Sequence, residues 1–261
     1  MKTKDNILDF GTYLWVATDT IPYVSHKIYD LKFSLDNNIN ENDIAFLQYT
    51  SGSTGGAKGV MVQHRMLASN CMSCALLTQG LGSLYVYQFS LGVSWLPTFH
   101  DMGLIGFHVA PMLIGGTMVY FSPINFIQNP ILWLRVMSRF RHVSTGGPPF
   151  ALDLCCRRVS QKDLQEIDLS GIDIMILGAE PIRVSFMLEF AKRFNSCGFK
   201  SKAYMTCYGM AENVLHVSGK WSNKYEPRVL LVDSTMLKNN ELGVYRDEAC
   251  ILPNVHQDWP S

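Results

Sequence analysis

A mixed α/β fold with mainly parallel strands flanked by helices is predicted by three observations. Short apolar runs rich in strand formers recur along the chain, amphipathic stretches at helical spacing follow them, and breaks of Gly, Pro and polar residues separate the two. The 261 residues allow one large or two small domains, and a hydrophobic content of 48% is ample for a sizeable core.

The elements follow in order. Residues 1–35 mix short apolar pieces, and the polar stretch Asp36 to Asp43 reads as a connecting loop. Ile44 to Tyr49 and Val60 to Val62 read as two strands joined by a Gly/Ser/Thr stretch, after which Leu67, Cys71, Cys74 and Thr78 share one helix face. Ser90 to Pro97 reads as a strand. The uncharged run Leu104 to Phe121 approaches the lower length limit of a membrane span, but His108, Pro111, Gly115 and Gly116 break it. It reads instead as a buried helix, a turn and the strand Thr117 to Phe121. Pro130 to Phe140 reads as a helix with Ile131, Leu134 and Met137 inward, and Ile172 to Leu177 as a buried strand. Val184 to Phe194 is helical with Met187, Phe190, Ala191 and Phe194 on one face, ending before Gly198. No repeat is visible, and beyond about Ser218 the periodicity weakens too far for assignment.

Charge excludes some functions. Lys plus Arg and Asp plus Glu both total 22, so the net charge is zero with no basic cluster, which argues against a nucleic-acid partner. The seven cysteines have no regular spacing, and the N-terminus has no apolar stretch of a secretory leader. A cytoplasmic protein with reduced thiols and no membrane span is expected. Cys71-Met-Ser-Cys74 lacks a second pair or a nearby His and reads as helix packing, not a zinc site.

The densest chemistry lies in Tyr49-Thr-Ser-Gly-Ser-Thr-Gly-Gly-Ala-Lys-Gly59. Four glycines let backbone N–H groups approach an anion, while Ser51, Ser53, Thr54 and Lys58 complete its coordination, as a triphosphate needs. A Walker A loop is excluded, because Gly59 rather than a hydroxyl residue follows Lys58. A nucleophile elbow is excluded because neither Ser51 nor Ser53 sits in G-x-S-x-G.

With its flanks this loop resembles the phosphate-binding motif of the adenylate-forming superfamily, Y-T-S-G-S-T-G-x-P-K-G-V, with Ala57 in place of the Pro. Gly178-Ala-Glu-Pro181 resembles the adenine-site segment, and Tyr208-Gly-Met-Ala-Glu212 the motif that holds adenine and metal. Ser94-Trp-Leu-Pro-Thr-Phe-His-Asp-Met-Gly-Leu-Ile-Gly106 and Ser144-Thr-Gly-Gly-Pro-Pro-Phe-Ala-Leu-Asp-Leu-Cys155 look like segments typical of fatty acyl-AMP ligases.

That resemblance implies ATP-dependent activation of a fatty acid to an acyl-adenylate. In the complete enzyme the acyl group would pass to an acyl carrier protein or to a carrier domain of a polyketide or nonribosomal synthase. ATP and Mg2+ are the implied cofactors. Ser51, Gly52, Ser53, Thr54, Gly55, Gly56 and Lys58 would embrace the phosphates, Thr54 and Glu212 would place Mg2+, and Tyr208, with Gly209, Met210 and Ala211 beside it, would meet adenine. Gly178, Ala179 and Glu180 would line the adenine and ribose side. His100 would stand where the acyl carboxylate meets the α-phosphate, with Trp95, Asp101, Gly103, Gly146 and Gly147 near the acyl path. His100, Lys58 and Glu212 are the expected catalytic residues.

The resemblance also implies that residues 1–261 are part of an adenylation domain with its family-like core at 42–218. Residues 219–250 would be the insertion typical of acyl-AMP ligases. After Glu212 there is no match to the family's Y-x-T-G-D segment, Tyr245-Arg-Asp247 lacking its Thr and Gly, and the C-terminal lysine-bearing domain is not matched. Weak or no turnover by this chain alone is therefore expected. The alternatives are a fragment of an acyl-CoA synthetase and an inactive nucleotide-binding remnant.

Overall fold

The computed structural model describes residues 38–50, 58–79, 91–219, 227–229, 233–241 and 250–251. The chain divides into two units, Met1–Ile39 and Asn40–Ser261, and the second holds all the described helices and strands.

Strand β1 (Ile44–Thr50) pairs antiparallel with β2 (Lys58–Gln63), and β2 runs directly into helix α1 (His64–Gln79). The predicted helix face is real: Cys71 is buried, with Leu67 and Cys74 packed beside it, while the Thr78 side chain lies outside the described residues.

A six-stranded sheet follows, in the order β4-β3-β5-β6-β7-β8. Its strands are β3 (Leu91–Ser94), β4 (Thr117–Tyr120), β5 (Val143–Gly147), β6 (Ile172–Leu177), β7 (Tyr204–Gly209) and β8 (His216–Gly219). The first five are mutually parallel, and β8 closes one edge antiparallel to β7. The chain steps from β3 outward to β4, then returns past β3 to β5, so its direction reverses between β3 and β5. Right-handed crossovers then place the β3-to-β4 connection on one face of the sheet and the later connections on the other.

The later connections carry α3 (Pro123–Gln128), α4 (Ile131–Met137), α5 (Phe150–Arg158) and α6 (Val184–Phe194). Trp133, Leu134, Leu152, Met187, Phe190 and Phe194 join Val143, Met175 and Leu177 of the strands in one core. Within it the Trp133 indole donates to Thr145 Oγ1 at 2.8 Å, and the Thr145 hydroxyl donates to the Val93 carbonyl at 2.7 Å. That chain ties β5 to β3 at the reversal. The β3-to-β4 connection is a π-helical segment, Met102–Val109, running into α2 (Ala110–Leu113). Ile105 and Ala110 there pack with Val62, Cys71 and Val214 into a second, smaller core.

Strand β6 and helix α6 fall where the sequence places them. The strand expected at Ser90 to Pro97 is shorter, because the Leu96 N–H turns back to Ser94 Oγ at 3.2 Å and ends the ladder; Ser90 lies outside the described residues. The helix expected at Pro130 to Phe140 stops at Met137, where Ser138 Oγ donates to the Leu134 carbonyl and accepts the Asp168 N–H. Helix α3 is too short to show a periodic pattern in the sequence; Ser122 caps it, accepting from the Ile124 N–H, and Pro123 opens it. In the tail, α7 (Ser234–Lys238) is capped by Asp233, and β9 (Arg228–Val229) pairs antiparallel with β10 (Cys250–Ile251). Among the described residues no helix is long and apolar enough to cross a membrane.

Candidate functional site

The C-terminal ends of parallel strands, beside a reversal of strand order, are where open α/β sheets bind ligands. A cleft of about 160 Å³, mostly apolar in its lining, lies at the C-terminal ends of β6 and β7, against the segment that follows β3. Ile176 and Gly178 come from β6 and its end, Met205, Cys207, Tyr208 and Gly209 from β7, Gly106 and Phe107 from the π-helical segment, and Cys74 from α1.

His100 and Asp101, in the turn between β3 and the π-helical segment, are among its polar lining residues. Asp101 accepts the Met102 N–H at 2.7 Å, which caps that segment, and His100 Nδ1 lies 2.8 Å from the same carboxylate oxygen. The Met102 N–H also approaches His100 Nδ1, at 3.2 Å. Nδ1 cannot both accept that proton and donate its own, and the shorter carboxylate contact decides: Nδ1 carries the hydrogen. The hydrogen bond to Asp101 raises the pKa of His100 above the ordinary imidazole value, aided by the carboxylate charge and opposed by partial burial. The turn thus presents an imidazole, held by Asp101, beside an apolar cavity. Gly103 follows because a Cβ there would lie 2.1 Å from the Pro97 carbonyl oxygen.

Ala179, just after β6, adopts φ +67°. A left-handed conformation at a non-glycine residue is uncommon and concentrates at ligand sites. It delivers Glu180 to the start of α5, where the carboxylate accepts the Phe150 N–H at 2.8 Å. Gly178 and Ala179 line the cleft, whereas Glu180 is engaged with a helix end.

Tyr208, at the end of β7, is 59% exposed and offers a ring face beside the cleft. Gly209 must be glycine, since a Cβ there would meet the Leu215 carbonyl oxygen at 2.4 Å. Met210 is exposed and Ala211 is buried. Glu212 lies in the turn Ala211–Asn213, on the rim of a second, wider cleft of about 590 Å³ between that turn and α1. His216 borders both clefts. Burial lowers its pKa, and its Nε2 is buried without a partner among the described residues.

Trp95 is buried deeper. Its ring stacks on Phe126 at 4.0 Å and meets Trp133 and Phe150 edge-on. Gly146 and Gly147 are buried in β5, with the Trp95 ring against Gly147. The Trp95 indole N–H has no acceptor among the described residues, an expensive orphan at a position unlike the satisfied Trp133. Lys58 is exposed at the start of β2. Ser51, Gly52, Ser53, Thr54, Gly55 and Gly56 lie outside the described residues.

The structure therefore brings His100, Asp101, Gly178, Ala179, Tyr208 and Gly209 to one cleft, sets Glu212 on an adjoining rim, and leaves Trp95, Gly103, Gly146 and Gly147 behind the wall. Residues 8–249 match the family described as AMP-binding enzyme. The chain belongs to that family. It is 36% identical over 218 residues to the medium-chain-fatty-acid acyl-carrier-protein ligase TtuA of Teredinibacter turnerae, covering 84% of this chain and 33% of that protein. It is 34% identical to the corresponding ligase JamA of Moorena producens, covering 93% of this chain and 39% of the relative. Among solved structures it is similar to a fatty acyl-adenylate ligase from L. pneumophila in complex with acyl adenylate and pyrophosphate. That match has a TM-score of 0.72 and 35% identity, over 80% of this chain and 36% of the other. The chain spans 33% to 39% of the length of these relatives.

The sequence did not point to Glu180 as a helix cap or to the Trp133–Thr145–Val93 chain, since each joins residues far apart in the chain.

Proposed function

We propose that the chain is the central part of an ATP-dependent ligase that activates a fatty acid as its acyl-adenylate. The observation that carries this reading is the convergence of the His100–Asp101 pair, the Gly178-Ala179 turn and Tyr208 on one apolar cleft at the strand ends. The similarity to a fatty acyl-adenylate ligase supports it.

In the reaction a carboxylate oxygen of the fatty acid attacks the α-phosphorus of ATP. The new O–P bond forms as the bond to the bridging oxygen breaks, and pyrophosphate leaves. Anion meets anion, so catalysis is positioning and charge neutralisation. His100, held by Asp101 and kept cationic to higher pH than a free imidazole, would donate to oxygens at the point of attack. The exposed Tyr208 ring would take the adenine, and the backbone at Gly178 and Ala179 its edge. Ser51 to Gly56 with Lys58 would hold the phosphates. Phe107, Ile176 and Met205 would receive the first carbons of the acyl chain.

Glu212 suits Mg2+ as one of its ligands. Glu212 offers an exposed carboxylate, a hard oxygen ligand, and Mg2+ commonly takes only one or two protein carboxylates beside substrate phosphates. Glu212 and Thr54 would hold it, and its charge would offset that of the phosphates. Residues 42–218 would form the adenylation core and 219–250 an insertion holding β9 and α7. In the whole enzyme the acyl group would go to a carrier-protein thiol.

Calorimetric titration with a nonhydrolysable dodecanoyl-adenylate mimic tests the reading. Saturable binding, abolished by Tyr208→Ala and weakened by His100→Ala, is expected; a folded chain that binds no mimic would overturn it.

A further inference from the structure

Helix α1 carries a polar residue on its inward side between Leu67 and Cys71. Asn70 reaches across to the turn that follows Glu212 and uses both ends of its carboxamide there. Its Nδ2 donates to the Asn213 carbonyl at 2.9 Å and to the His216 carbonyl at 3.0 Å, while its Oδ1 accepts the His216 N–H at 3.0 Å. The partners fix the orientation of the amide, since the reverse would set NH2 against N–H and oxygen against two carbonyls.

The turn needs such a hold. Val214 adopts φ +68°, an outlier for a β-branched residue that persists only when the surroundings over-determine it. Around it the Val214 N–H donates to Ala211, and the Met210 N–H donates to Leu215, so the strained residue and the Glu212 backbone form one compact unit. Asn70 binds that unit on both sides of Val214. Its helix is continuous with β2, which begins at Lys58.

We infer that Asn70 is a positioning residue that fixes Glu212 relative to the β2 strand, so that the carboxylate and Lys58 act on one ligand. The inference rests on the ATP-site reading above. It deepens that reading by naming a side chain that touches no substrate and acts through the backbone of its neighbour.

The test uses the full chain and a nonhydrolysable ATP analogue, titrated with Mg2+ and again with EDTA. Mg2+ should tighten binding to the unsubstituted protein. Asn70→Asp, which sets an anion against two carbonyls, should cut that Mg2+-dependent gain about tenfold, the range for losing a group that orients a metal ligand. Affinity in EDTA should stay where it was. Hydrogen exchange should accelerate at Asn213 to His216 and remain slow in β6. Asn70→Ala, which removes the bonds without adding charge, carries the same expectation should the Asp variant not fold. An undiminished Mg2+ gain, or equal loss with and without Mg2+, would overturn the positioning role while leaving the ATP site intact. If the unsubstituted chain bound no analogue at all, the ATP-site reading itself would fall, and this inference with it.

Discussion

The two faces of the six-stranded sheet are built on different terms. On the face of α4, α5 and α6, large apolar side chains interlock: Phe190 meets Phe194 and Phe199 at ring-centroid distances of 4.4 and 5.0 Å, and the buried Trp133 donates to Thr145. On the face of α1 and the π-helical segment the core is small, and polar groups and strained turns crowd the cleft. The first face supplies cohesion, and the second holds the geometry that a ligand would use. A substitution should therefore affect stability or binding according to its face.

The largest expected effect is on the cohesive face. Phe190→Ala removes a fully buried ring and should cost about 3–5 kcal/mol in urea unfolding, the range for truncating a core aromatic. Next comes Thr145→Val, which strands the Trp133 indole N–H and should cost about 1–3 kcal/mol. The double variant with Trp133→Phe should lose less than the sum of the singles, because no donor is then left unpaired.

The cleft face gives smaller stability effects with opposite pH signs. Burial depresses the pKa of His216, so the unfolded chain takes up the proton first, and stability is lost as pH falls below the unfolded value of about 6.5. His216→Gln should flatten the acid limb of stability against pH. For His100 the sign reverses: its raised pKa gives stability that is complete below that unfolded value and lost as pH rises through the folded pKa. Because His100 is half-exposed, His100→Ala should change unfolding by no more than about 0.5 kcal/mol while weakening adenylate binding. A His100→Ala variant as unstable as Phe190→Ala would break the division between the faces.

The same division explains what the sequence disclosed. Helix α6 is legible because Met187, Phe190, Ala191 and Phe194 recur at helical spacing and all are buried, and strand β6 because it is a short apolar run buried on both faces. The membrane-length apolar run divides at Gly115 and Gly116, while helix continues through His108 and Pro111, and nothing in its composition distinguishes a π-helical Met102–Val109 from an α-helix. His100, Gly178 and Tyr208 stand out in the sequence through their motifs, and the structure sets all three along one cleft. Asn70 and Glu180 were not assigned these bonds, since each joins segments distant in sequence, 146 residues apart for Asn70 and His216. Pattern reports what a segment buries, and such clamps depend on which segments meet.

The central claim is that the cleft between β6, β7 and the π-helical segment takes the adenylate. Hydrogen exchange of the chain with and without the dodecanoyl-adenylate mimic tests it most directly. Slower exchange confined to the amides near His100 to Phe107, Gly178 to Glu180 and Cys207 to Gly209 is predicted. Protection confined to the α4–α6 face, or binding with no protection at these three segments, would contradict it.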